Sequence, residues 1–104
     1  MNAEQTVTAL LRACERRDFD RVRALVTDDV EYENVPIGTV FGPDGVLGVL
    51  SGGITATSTA VEWVVLHQVG QGDLVMNERV DRFLHDGRWI EVRIAAVFRV
   101  RGGR

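Results

Sequence analysis

The chain has 104 residues, 45% apolar and 26% charged, enough for one domain with one modest core; this excludes a disordered or fibrous protein. Its formal charge is -3, from 15 acidic and 12 basic residues. Every basic residue is arginine, and no basic run stands out to support a nucleic-acid partner.

Residues 3–17 read as an amphipathic helix. Val7, Leu10, Leu11 and Cys14 form one stripe of a 3.6-residue period, with Asn2 as cap and Arg16 and Arg17 at the negative end. Asp18 reads as the cap of a second, short helix with Phe19, Val22, Leu25 and Val26 on its apolar side. From Val30 the period changes to two. Val30, Tyr32 and Asn34 point one way, and Glu31, Glu33 and Val35 the other, until Pro36 and Gly38 end the strand. Gly42-Pro43-Asp44-Gly45 is turn chemistry, Gly45 to Leu50 reads as a short helix, and Gly52-Gly53 stops it.

A meander of long strands follows. Thr57 to Val69 is rich in valine and threonine, and Gly70 to Asp73 turns the chain. Leu74 to Leu84 leads to the hairpin signal Asp86-Gly87. Trp89 to Val100 places Ile90, Val92, Ile94, Ala96 and Phe98 on one face. The expectation is a single α+β domain over residues 1–104, with helices on one face of a mainly antiparallel sheet. The last strand runs into Arg101-Gly102-Gly103-Arg104 with no strand to return. An apolar strand with an unpaired edge calls for pairing on both sides, burial in an oligomer, or a further C-terminal segment.

Apolar runs are too short for a membrane span, and Met1 to Glu4 has no secretory-signal character. Cys14 alone makes neither an internal disulfide nor a metal site, so a cytoplasmic protein is the default. Cys14 reads as core. His67 and His85 lack companions at metal-ligand spacing, and Trp63 and Trp89 read as packing residues.

Two segments carry chemistry. Asn77, Arg79 and Asp81 share one strand face, and Arg79 can reach Asp81. Facing inward, the three are expensive unless they bond one another. They read either as an acid held by a cation or as a solvent-facing ion pair worth under ~1 kcal/mol. Tyr32 and Asn34 share a face of the early strand, where a phenol and an amide can together hold a water. They also read as the half-buried end of a strand.

Taken together, Tyr32-Glu33-Asn34-Val35-Pro36 and Glu78-Arg79-Val80-Asp81 resemble the limonene-1,2-epoxide hydrolase family. The element order is similar to that family's NTF2-like, SnoaL-like cone. The resemblance implies an epoxide hydrolase acting on a terpene, lipid or steroid epoxide in one push-pull step. Tyr32 and Asn34 would hold the water, Asp81 would be the general acid, and Arg79 the bridge between two carboxylates. It implies a homodimer, and neither it nor the residues call for a cofactor.

The family's water-activating aspartate lies on a further strand, just after the turn that Gly103-Arg104 resembles. Glu31 and Glu33 alternate away from Tyr32 and Asn34 and are no substitute. With one carboxylate beside Arg79, the cation favours ionisation, and the Asp81 pKa is expected to fall. Two other functions stay open: a cyclase that keeps Asp81 as acid and uses a substrate hydroxyl as nucleophile, and a non-catalytic binding or dimerisation module.

Overall fold

The computed structural model describes residues 1–104. Helix α1 spans Ala3–Arg16. Its start is a reciprocal cap: Gln5 N donates to Asn2 Oδ1 at 2.8 Å, and Asn2 N donates to Gln5 Oε1 at 2.9 Å. It ends where Arg17 turns left-handed and donates its N–H to the Ala13 and Cys14 carbonyls. Asp18 opens α2, Phe19–Leu25, by accepting from Arg21 N at 3.1 Å. Both caps are those expected from the sequence.

The middle of the chain holds more structure than its composition announces. Strand β1, Glu31–Asn34, pairs antiparallel with an unforeseen β2, Gly38–Phe41, with Tyr32 opposite Val40. Thr39-Val40-Phe41 is short and framed by glycines, so turn chemistry masks it. Helix α3 spans Gly42–Leu50 and starts three residues before the expected Gly45. The presumed turn residues are its first turn, where proline removes an N–H that has no partner anyway. A further turn of helix, α4 (Gly53–Thr57), follows, so the next strand begins later than expected.

The meander is β3 (Ala60–Gln71), β4 (Leu74–His85) and β5 (Arg88–Arg99), antiparallel in the order β3-β4-β5. Asp86 and Gly87 both take positive φ at the β4–β5 hairpin, the geometry that two-residue turn requires. The sheet's inner face presents Val61, Trp63, Val75 and Phe83 to Val7, Leu11 and Cys14 of α1, Val22 of α2 and Val46 of α3. These alternate, buried positions are what a strand covered on one face should show. The outer face leaves Val64, Leu66, Val69, Met76, Trp89 and Val97 exposed.

Helix α1 also closes the outer edge of β3. Trp63 N donates to Glu15 Oε2 at 2.7 Å, and Arg12 Nη2 donates to the Trp63 carbonyl at 2.6 Å. Arg12 Nη1 and Glu15 Oε1 are joined at 3.1 Å. Two side chains thus replace the missing neighbour strand at Trp63. At the far end of β3, Gly70 lets the first turn of α1 come close: a Cβ there would stand 2.7 Å from Glu4 Cγ. No helix is long and apolar enough to cross a membrane.

Candidate active site

Strand alternation puts Asn77, Arg79 and Asp81 of β4 on the inner face, each 6% exposed. Arg79 Nε donates to Asp81 Oδ1 at 2.7 Å and Nη2 reaches Oδ2 at 3.4 Å. Its remaining arm, Nη1, donates to Asn77 Oδ1 at 3.4 Å. The Trp63 ring closes the guanidinium's flat side, with Cζ 4.8 Å from the ring centroid. The three polar residues therefore bond one another inside the core. The solvent-facing ion pair is excluded, because the site is buried.

Tyr32 reaches the same region from β1, half-buried, near enough to feel the charges of both Arg79 and Asp81. Burial raises its phenol pKa, Arg79 lowers it and Asp81 raises it. Asn34 sits two residues on, at the hairpin end of β1 opposite Gly38, and its backbone carbonyl accepts from Ile37 N at 2.6 Å. Neither Tyr32 nor Asn34 is hydrogen-bonded to Arg79 or Asp81. Cys14 comes down from α1 into the neighbourhood of the pair; burial pushes its thiol up to about 12.

The acidity of Asp81 runs against the sequence expectation. Its pKa is raised, not lowered: desolvation by burial outweighs the hydrogen bond and the charge of Arg79, which both lower it. The sequence shows the cation two residues away but not the helix that seals the pair from water. A charged carboxylate is disfavoured there even beside a guanidinium.

Three further residues join the site that the sequence places elsewhere or nowhere. Trp63 and Cys14 read as core, and they are core, but core laid directly against the ion pair. Gln68 had no signal, because a bulge in β3 turns it inward. Asn77 Nδ2 donates to Gln68 Oε1 at 3.2 Å. Two open concavities, of about 540 and 300 Å³, lie away from the Arg79–Asp81 pair. One is lined by the first turns of α1 and Gln68, the other by residues such as Asp29, Asp73 and Arg101. Neither is lined by Tyr32, Arg79 or Asp81.

Residues 1–104 match the family model of the limonene-1,2-epoxide hydrolase catalytic domain. The chain belongs to that family. Among solved structures it is similar to an LEH-like epoxide hydrolase from M. tuberculosis, at 28% identity and a TM-score of 0.83, covering 98% of this chain and 75% of that one. A loop-truncation variant of IdmH is similar at 29% identity and a TM-score of 0.84, covering 98% and 85%. A protein from Catenulispora acidiphila with a ketosteroid isomerase-like fold, solved with trimethylamine, matches at 25% identity and a TM-score of 0.81, covering 94% and 77%. No curated protein matches the chain. The expected α+β, NTF2-like architecture is thus the architecture of this limonene-1,2-epoxide hydrolase family member.

Proposed function

We propose that this family member is an epoxide hydrolase of the limonene-1,2-epoxide hydrolase type, adding water to a hydrophobic terpene, lipid or steroid epoxide to give a vicinal diol. The observation that carries this reading is Asp81. It is buried, hydrogen-bonded to Arg79, and its pKa is still raised from the ordinary carboxyl value by desolvation. A carboxyl whose protonated form is favoured by burial can, when protonated, give its proton to the epoxide oxygen as the C–O bond breaks. An alkoxide is a poor leaving group, so this protonation must accompany attack.

In this reading Tyr32 and Asn34 hold the attacking water and Arg79 orients Asp81. The water must also lose a proton to a base. The carboxylate bound to Arg79 in these residues is that of Asp81, which serves as the acid. The base is therefore a further carboxylate, supplied by a partner subunit or by an additional strand. The exposed outer face of the sheet fits a homodimer, and the proposed setting is the cytoplasm.

The test is diol formation from a panel of terpene, steroid and fatty-acid epoxides, with Asp81→Asn beside the parent. Diol from the parent that disappears in the variant is the expected result. Diol undiminished in Asp81→Asn overturns the role of Asp81. If the parent is silent, a C-terminal strand carrying an aspartate is added. Continued silence then favours a binding or dimerisation module. An epoxide bearing a hydroxyl is included, since a cyclic ether in place of a diol would mark a cyclase.

A further inference from the structure

A buried arginine paired with a carboxyl that acts as an acid raises a problem: what compensates the cation whenever the carboxyl is neutral? The bonds around Arg79 answer it. Gln68 Nε2 donates to Thr8 Oγ1 at 3.2 Å and to the Glu4 carbonyl at 3.4 Å. Asn77 Nδ2 donates to Gln68 Oε1 at 3.2 Å, and Arg79 Nη1 donates to Asn77 Oδ1 at 3.4 Å. Both amides turn their acceptor ends toward Arg79 and their donor ends toward α1. The chain has one polarity, anchored outside the site on acceptors of α1.

The backbone is bent to make this possible. Val61, Trp63 and Val65 alternate inward along β3, and simple alternation would bring His67 in next. The register instead shifts between Val65 and His67: Val65 pairs with Arg79, His67 with Glu78 and Gln68 with Asn77. Leu66 is the extra residue. The bulge sends His67 outward, to Glu78 at 2.9 Å, and turns Gln68 inward beside Asn77. Re-aiming a side chain is a recurrent use of such bulges next to active sites.

We propose that Asn77 and Gln68 are positioning residues, whose aligned amides hold the Arg79 cation independently of Asp81, so that the carboxyl can carry or give up its proton without leaving a buried guanidinium unpartnered. The inference rests on Asp81 acting as the acid. Three titratable groups face Asp81: Arg79 on its own strand, Tyr32 from β1, and Cys14 from α1. The Trp63 ring from β3 adds an uncharged wall that also favours the cation.

The sign of the effect follows. Weakening the amide chain makes Arg79 depend more on an ionised Asp81, so the carboxyl titrates lower. A second carboxylate on the same guanidinium makes it titrate higher. The experiment is a ¹³C-carboxyl NMR titration of the full chain with labelled aspartate, the Asp81 signal being assigned by its loss in Asp81→Asn. Gln68→Leu and Asn77→Leu should lower the Asp81 midpoint, the second by more. Asn77→Asp, which keeps the shape of the side chain, should raise it by roughly one unit or more. An Asp81 midpoint unmoved or raised in Gln68→Leu and in whichever Asn77→Leu protein folds would overturn the proposal. So would a lowered midpoint in Asn77→Asp. The readout needs no turnover. Absent diol formation therefore counts against the hydrolase reading alone, and an unmoved midpoint against this one alone.

Discussion

Arg79 Nε and Asp81 Oδ1 lie 2.7 Å apart on one strand, and their side chains are 7% and 9% exposed. The pair has paid for desolvation on both sides, and the two partners respond differently. Arg79 cannot shed its charge, while Asp81 can take a proton and escape the penalty. The direction of its pKa shows that it leans that way. Substituting each partner should therefore cost unequal amounts. Asp81→Asn resembles the neutral acid and still accepts from Arg79, so about 1 kcal/mol is expected. Arg79→Leu strips the donor from Asn77 and Asp81 together and should cost about 3–5 kcal/mol, the scale of a broken buried pair. Urea unfolding of the two variants measures both. Equal costs would mean that Asp81 is held as a fixed ion.

The same shift fixes a sign in the pH dependence of stability. A carboxyl whose pKa is higher folded than unfolded binds more protons in the native state between the two values. Its contribution is present below the unfolded pKa, about 3.9, and is lost as pH rises through the folded one. Stability of the parent should fall across that window, and the fall should flatten in Asp81→Asn. Asp29 serves as the opposite control. Its hydrogen bond from Arg101 lowers its pKa, so its stabilisation appears above the unfolded value and is lost on acidification. Asp29→Asn should remove an acid-side loss and leave the Asp81 window alone. Thermal unfolding at a series of pH values separates the two.

How far the sequence reaches is clearest by comparing Asp81 with Gln68. Strand alternation alone puts Asn77, Arg79 and Asp81 on one face, and the Asn2 and Asp18 caps and the Asp86-Gly87 turn are local enough to be read directly. These features depend on neighbours within a few residues. The direction of the Asp81 shift depends on α1 and Trp63, far away in the chain, and local reading gets it wrong. Gln68 is invisible for a related reason: a one-residue bulge inverts every facing beyond it. Strand β2 and the first turn of α3 are hidden because Gly42 and Pro43 are as suited to a helix start as to a loop.

Cys14 offers a reading of how tightly the site is sealed. Its thiol is buried and pushed up to about 12, mainly by desolvation, so almost no thiolate forms near neutral pH. The thiolate is the reactive species. Ellman's reagent at pH 8 should therefore leave the folded protein unmodified over a time in which the urea-unfolded chain reacts completely. Rapid labelling of the folded protein would mean that α1 lifts from the sheet, and with it that the desolvation acting on Asp81 is intermittent.

Helix α1 keeps that seal partly through its hold on Trp63, and the hold can be divided. Glu15 contributes a charge toward Arg12 and an acceptor toward Trp63 N. The ion pair is partly exposed, with side-chain exposures of 39% and 24%, and in water such pairs contribute little. The acceptor is different, since without it the Trp63 N–H faces the helix with no partner. Glu15→Gln keeps the acceptor and drops the charge, and should cost under about 1 kcal/mol. Glu15→Ala drops both and should cost about 1–3 kcal/mol, or roughly 4–8 °C in Tm for each kcal/mol. Arg12→Ala removes the donor to the Trp63 carbonyl and should be non-additive with Glu15→Ala, because both close one strand edge. Costs that simply add, with Gln and Ala equal at position 15, would show that the edge at Trp63 is satisfied by solvent and that α1 is held by its apolar face alone.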